Sequence, residues 1–390
     1  MSETNNIELN TCQKFVNNIF GNELHQKRQL SLANAALGLL SSGSAFLHKM
    51  GAGLANARGL IKKHATKQID RLLSNPGFDI WDVSAQYVPY IIGQRKVIFV
   101  ALDWSSFYQD EQLTLSLNLI TKHGKATPLV WKTINNSQLK NNRARYEDQI
   151  LSRLKEVLPA SVVKVVIIAD RGFADKKFFE FIEKTLGFRY LIRIKSNTTI
   201  GIKNKKGEET HQSAKEWLLK SGRMRHAKNV MLTRKDSCLV PRFIAVKKRG
   251  MKDAWFLASN YRVNGNRLMW LYNKRWSIEP YFRDIKDNRF GFGLSHTHIG
   301  SPERRDRLFL VMNICYILLT LLGAAGEQEG FDRYLKVNTV KTRTHSLITQ
   351  GLYYYEYFPN FKSEQKEKLM LAFDMLLAQL PEWKKFIFIC

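Results

Sequence analysis

The chain has 390 residues, 44% hydrophobic and 12% aromatic, enough for the interiors of two or three domains and too much for a disordered tail. Lys and Arg outnumber Asp and Glu by 61 to 34, a formal charge of +27 with a pI near 9.9, so the expected partner is a polyanion, with nucleic acid favoured over a merely solvated basic surface. Cys12, Cys238, Cys315 and Cys390 lack paired spacing, which argues against a zinc site or a disulfide framework and fits a reducing cytoplasm, and the polar start MSETNNIELN lacks the pattern of an export signal.

From Leu30 to Asn75 the residues favour helix, broken into short pieces by Ser41, Gly43, Gly51, Gly53 and Gly59. The last piece, Ala65 to Ser74, puts Ile69, Leu72 and Leu73 on an apolar stripe and leaves Lys62, Lys63, Lys67 and Arg71 outside it; this suits a helix lying against DNA and equally an ordinary solvated face. Asn75-Pro76-Gly77 ends it. From Lys96 the pattern becomes that of strands: Val97 to Asp103, then Leu113 to Leu119 in alternation, a turn at Lys122-His-Gly-Lys125, and a third strand from Thr127 to Lys132. A crossover helix follows at Tyr146 to Leu158, a buried strand at Val162 to Asp170, a helix at Asp175 to Leu186 and a strand at Phe188 to Ile194.

This order of three strands, helix, strand, helix, strand is that of a ribonuclease H-like core, an α/β fold with a mixed five-stranded sheet. The polar segment 197–254, with a turn at Asn204 to Glu208, reads as an insertion of short strands. The expected division is a helical DNA-binding region at 1–92, the catalytic core at 93–196 and 255–330, the β-rich insertion at 197–254 and a C-terminal helical region at 331–390. Leu308 to Ala325 carries no charge and nears the length of a membrane span, but Asn313, Thr320 and its basic surroundings favour a buried helix, with no membrane partner. Beyond it come a basic, tyrosine-containing segment and an amphipathic helix from Glu364 to Gln379, with Leu369, Met370, Phe373, Leu376 and Leu377 as its stripe and Pro381 as its stop.

Asp103 and Asp170 each end an apolar strand. If those strands are parallel neighbours, both carboxylates emerge at one sheet edge, where open α/β sheets bind ligands; taken singly, each acid is as well explained as a cap or a loop-facing charge. In Tyr272-Asn-Lys-Arg275-Trp-Ser-Ile-Glu279-Pro-Tyr-Phe-Arg-Asp-Ile-Lys286 a helix would bring an aromatic ring, two cations and an acid to one face, though Pro280 implies a kink. A surface helix with internal ion pairs has the same spacing. His296-Thr-His298 has the look of a metal pair but sits in a basic loop, and Arg304, Arg305 and Arg307 are assigned near DNA or to a helix surface.

Tyr272, Arg275, Glu279 and Lys286 reproduce the Tyr-x2-Arg-x3-Glu-x6-Lys signature, and with Leu102-Asp103, Ile168-Ala-Asp170-Arg-Gly-Phe173 and Trp255-Phe-Leu-Ala-Ser-Asn260 the chain, from Val97 to Arg307, resembles DDE transposases of the insertion-sequence-four family. The resemblance implies that Asp103, Asp170 and Glu279 are the catalytic, metal-holding triad, and that Tyr272, Arg275 and Lys286 hold phosphates beside the cut. It implies Mg²⁺, with Mn²⁺ able to replace it, as a pair of ions. It further implies terminal inverted repeats and target DNA as partners, a homodimer in the active complex, a bacterial cytoplasmic, nucleoid-associated location, and a hairpin step for which Trp255 or Tyr272 would receive a flipped base. A nuclease of the same fold that cuts without joining, an inactive DNA-binding relative and, more remotely, a tyrosine recombinase are the competing readings.

Overall fold

The computed structural model describes residues 6–21, 23–121, 123–203, 208–233, 237–288 and 291–378. Five helices open it: α1 (Leu9–Phe20), α2 (Gln26–Ser42), α3 (Leu47–Arg58), α4 (Lys62–Ser74) and α5 (Ile80–Ile92). Gly43 and Gly59, with φ of 60° and 64°, end α2 and α3 in the left-handed conformation that glycine adopts without penalty. In α4 the stripe of Ala65, Ile69, Leu72 and Leu73 is buried and Lys62, Lys63, Lys67 and Arg71 are exposed.

The strand-rich part follows as β1 (Val97–Phe107), β2 (Gln112–Leu119), β3 (Thr127–Asn135), the short α6 (Asn136–Leu139), α7 (Arg143–Val157), β4 (Lys164–Ala169), α8 (Lys176–Glu180, continued by a π-helical turn to Thr185) and β5 (Arg189–Arg193). After these come β6 (Thr199–Lys203), β7 (Glu209–Ser213), β8 (Arg225–Leu232), β9 (Cys238–Val246) and β10 (Trp255–Ser259). The sheet differs from the five-stranded expectation: among the described residues it has ten strands, in the order β3-β2-β1-β4-β5-β10-β9-β8-β6-β7. β10 pairs antiparallel with β5 on one edge and with β9 on the other, so the insertion continues the same sheet. Within it, β4 runs parallel to β1 and to β5, while β2 and β3 are antiparallel. Residues 204–207 of the expected turn, and Lys122 of the earlier one, lie outside the described residues.

The remaining helices are α9 (Gly265–Lys274), α10 (Ile278–Lys286), α11 (Pro302–Gln328), α12 (Leu347–Tyr357) and α13 (Ser363–Ala378). α11 holds the uncharged run, and it is long and apolar enough to cross a membrane; in this fold it is enclosed instead, packed against α2, β3, α12 and α13. Glycines make the α11–α12 crossing close: a Cβ on Gly323 would stand 1.9 Å from the Leu347 carbonyl oxygen, and one on Gly351 at 1.9 Å from that of Leu319. In α13 the predicted stripe from Leu369 to Leu377 is buried; Pro381 and Cys390 lie outside the described residues. Ile98, Val100 and Leu102 of β1 join the large core that includes α7 and α11, while Phe99 and Ala101 join a second cluster with Leu268, Tyr272 and Ile278. The sheet is thus covered on both sides, as its apolar parallel strands require.

Candidate active site

Strand alternation sets the face on which each polar side chain emerges. Asp103 shares the face of Phe99 and Ala101, toward α9 and α10. The parallel register pairs Leu102 with Ala169, so Asp103 and Asp170 stand at the same level of neighbouring strands; Asp170 follows the end of β4, but Asp103, expected at a strand end, lies inside β1, which continues to Phe107 by pairing with β2. Asp103 Oδ1 accepts from the Trp104 N–H at 2.9 Å, and Asp170 Oδ1 accepts from the Gly172 N–H at 2.7 Å, capping the short turn that follows.

The signature segment is not one straight helix. α9 ends at Lys274, Arg275–Ser277 form a 3-10 turn, and α10 starts at Ile278. Pro280 accounts for the break, because it has no N–H for the Trp276 carbonyl, and the tighter turn relieves the clash in the first turn of a new helix, where proline is tolerated. Arg275 thereby turns inward. Its Nη1 stands 3.4 Å from Asp103 Oδ2 and its Nη2 3.9 Å from Glu279 Oε1, so one guanidinium lies between two carboxylates. The Asp103 side chain is 26% exposed and that of Glu279 is 51%. Burial pushes the Asp103 carboxyl up to about 6; Arg275 opposes the rise, and the charges of Asp170 and Glu279 add to it.

Among the described residues, no group of three or more His, Cys, Asp or Glu side chains converges tightly enough to hold one ion. The three acids face one region but do not touch. Asp170 is turned to its own backbone, and Arg275 supplies the positive charge between the other two. Three carboxylates without a cation would repel one another, so a guanidinium in that place is physically reasonable.

Lys286 Nζ donates to the Ser106 carbonyl at 2.8 Å and lies 4.5 Å from the Phe107 ring centroid; burial, reinforced by Arg305 and opposed by Asp103, lowers its ammonium to about 8. Tyr272 is only 2% exposed, under Arg275 and edge-on to Trp255, whose ring centroid is 5.0 Å away. Its ring is therefore a support beneath Arg275 and not an open phosphate ligand. Arg305 departs from its expected position near DNA: it is 0% exposed, with Nε on Gln112 at 2.7 Å, Nη2 paired with Asp110, and Phe107 beneath it. It faces inward because its position on α11 lies over the β1–β2 hairpin. Arg304 bonds Asp70 at 2.6 Å and also Ser74, and Arg307 bonds backbone carbonyls of Leu73 and Phe78, so both tie α11 to the end of α4. The exposed cations of α4 belong to a different element from the acids. His298 is exposed near Asp110, and the His296–His298 pair forms no metal group.

Two groups with a part in the site carried no sequence signal. Lys125, read only as a turn residue, forms a buried ion pair with Asp284, and the Ala126 N–H donates to the Ser277 carbonyl at 3.0 Å. Together they fasten α10, and with it Glu279 and Lys286, to the β2–β3 turn. Glu147, 7% exposed, accepts from Trp104 and Arg143 on the far face of β1. Lys125–Asp284 and Trp104–Glu147 are too far apart in sequence for spacing to reveal them, whereas Arg143 and Glu147 stand four residues apart on α7, a spacing that could have been read.

No curated protein matches the chain. Residues 130–318, just under half of the chain, match the family model described as the transposase DDE domain. That stretch contains Asp170, Arg275, Glu279 and Lys286 and starts after Asp103, so the region from β3 to α11 is similar to a transposase DDE domain.

Proposed function

We propose that this protein is a DNA transposase that frees 3′ hydroxyls at the ends of an element and joins them to target DNA, with Asp103, Asp170 and Glu279 as its catalytic acids on a ribonuclease H-like core formed by β1 to β5. The observation that carries the reading is the placing of Asp103 and Asp170 at one level of adjacent parallel strands, with Glu279 linked to Asp103 through Arg275. The basic charge of the chain supports DNA as the partner, and the exposed cations of α4 support an end-binding role for residues 1–92.

The donor set fits hard divalent cations, since it is made of carboxylate oxygens alone. Asp103, Asp170 and Glu279 would hold two Mg²⁺ ions, with Mn²⁺ able to replace them, and the bound ions supply an activated water and neutralise the leaving 3′ oxygen. Glu279, half exposed, is free to turn toward the aspartates. Arg275, which reaches Asp103 and Glu279 only by long contacts, can then give two N–H groups to the phosphate being cut. Lys286 contributes a point charge from its perch on Ser106. Water adds to phosphorus, the bond to the 3′ oxygen breaks and a 3′ hydroxyl remains; in joining, that hydroxyl adds to a target phosphodiester, whose own 3′ oxygen leaves. Two element ends would call for a homodimer. Trp255, more accessible than Tyr272, is the candidate to receive a flipped base if the ends pass through a hairpin.

The test is incubation of the protein with its flanking inverted repeats, a target plasmid and Mg²⁺, comparing wild type with Asp103→Asn, Asp170→Asn and Glu279→Gln. Each variant is expected to bind DNA and to lose cutting and joining. Activity retained by all three overturns the assignment; cutting without joining by the wild type makes the protein a nuclease, and binding without either makes it an inactive relative. Mn²⁺ binding, read by its paramagnetic resonance, should weaken in the same three variants.

A further inference from the structure

Trp104 follows Asp103 in β1 and therefore turns to the opposite face of the sheet, toward α7. Its indole N–H donates to Glu147 Oε1 at 2.8 Å, and Arg143 Nε donates to the same oxygen at 3.0 Å. One buried carboxylate thus fixes both side chains. Arg143 Cζ lies 5.2 Å from the Trp104 ring centroid and 5.9 Å from that of Phe173, in the turn after Asp170, so this assembly adjoins both candidate aspartates from behind. Beside it opens a cleft of about 490 Å³ lined by Trp104, Asn136, Ser137, Lys140 and Arg143, with Leu113 and Leu139 as its apolar part. The chain turns at Asn141, φ 63°, between the two cations.

The polar lining is rich in donors: an ammonium, a guanidinium, a hydroxyl and an amide, while the neighbouring carboxylate, Glu147, is occupied by Trp104 and Arg143. Such a lining takes an anion, and an open cleft beside an aromatic side chain suits a nucleic-acid backbone better than a small free ion. Joining brings a second duplex to the acids already engaged with the element end, and Arg275 and Lys286 serve the first from the α9–α10 face. We propose that the Trp104–Arg143 cleft holds the phosphodiester backbone of the target DNA, on the face of β1 away from Arg275. This rests on the reading of the protein as an enzyme that joins strands.

The test uses Lys140→Glu, at an exposed position outside the acid cluster, and Lys140→Arg as the conservative partner, both in the full chain with Mg²⁺. Cleavage of end duplexes without target and joining of pre-cleaved ends to a plasmid are measured separately. Lys140→Glu should cleave within about twofold of wild type and join about tenfold less, and Lys140→Arg should restore joining. Joining that is unchanged, or cleavage that falls in step with joining, overturns the proposal. A wild-type protein that neither cuts nor joins refutes the transposase reading, and the cleft is then judged by binding alone. Without metal, Lys140→Glu should bind plasmid DNA more weakly, with a slope of log affinity against log salt shallower by about one; equal binding and slope would show that no DNA lies in the cleft.

Discussion

Arg275 and Arg305 both lie mostly out of solvent beside carboxylates, yet they are held in opposite ways. Arg305 is clamped by Gln112 and Asp110 over the ring of Phe107, with its guanidinium carbon 4.0 Å from the ring centroid. Arg275, with a side chain 10% exposed, reaches Asp103 at 3.4 Å and Glu279 at 3.9 Å, distances at which hydrogen bonding is weak. Each leaves one buried nitrogen without a partner, Nε of Arg275 and Nη1 of Arg305. Burial and charge alone therefore do not separate site from scaffold. What separates them is the quality of the bonds: the scaffold arginine has short ones to groups that are nearly buried, and the site arginine has long ones to groups that are partly exposed.

The comparison breaks if the two arginines respond alike to truncation. Arg275→Ala should lower the rate of end cleavage by about a hundredfold or more, as loss of a charge-stabilising donor does, with a stability loss smaller than that of Arg305→Ala because its carboxylate partners are partly exposed, measured by denaturant titration. Arg305→Ala takes the guanidinium from the nearly buried Asp110 and leaves it the Ile299 N–H and the exposed His298, so the unfolding free energy should fall by about 3 kcal/mol, and activity should recover at temperatures where the variant stays folded. A stable Arg305→Ala protein with no activity would move Arg305 into the machinery.

The scaffold side can be sharpened by pH. Asp306 of α11 accepts from the Thr133 N–H at 3.0 Å and from its hydroxyl at 2.6 Å, and burial, opposed by these bonds, pushes its carboxyl up to about 7. The folded state then keeps a proton that the unfolded chain releases near pH 4. Stability falls as pH rises from about 4 to about 7 and levels off above, by roughly 2 to 4 kcal/mol in total from this group. Asp306→Asn resembles the protonated acid and should flatten that part of the curve and raise the melting temperature at pH 8. An unchanged slope would mean that Asp306 is ionised in the fold throughout.

These contrasts also mark what the sequence can disclose. β1 to β5 were legible because apolar runs and alternation are local, and Pro159 and Asn75-Pro76-Gly77 mark helix ends by their own backbone chemistry. β10 was not, since five residues, Trp255 to Ser259, carry too little pattern to be told from the approach to a helix. The acids could be named from the ends of apolar runs and the signature spacing, although β1 continues past Asp103 to Phe107 because its later residues pair with β2; Arg275 between two of the acids depends on the 3-10 turn ahead of Pro280. Arg304, Arg305 and Arg307 show the limit most directly: three arginines in a row of four residues read as a basic face, whereas α11 sends Arg305 and Arg307 to buried acceptors and Arg304 to the partly exposed Asp70 at the end of α4.

The smallest effects are expected on α4, where the cations stand in solvent beside a buried stripe. Lys63→Ala and Lys67→Ala remove charges from exposed positions, so each should change stability by no more than about 0.5 kcal/mol. If α4 lies against DNA, every lost phosphate contact also lowers the slope of log affinity against log salt by about 0.9, and the two substitutions together should lower it by about twice that. Anisotropy titrations of an end duplex at several salt concentrations measure the slope directly. A slope equal to that of the wild type would make α4 a solvated face, and the charge that holds element ends would have to lie on another surface. The same titration on Arg305→Ala should show the full wild-type slope, because a side chain already neutralised by Asp110 inside the protein has no counterions to release from DNA.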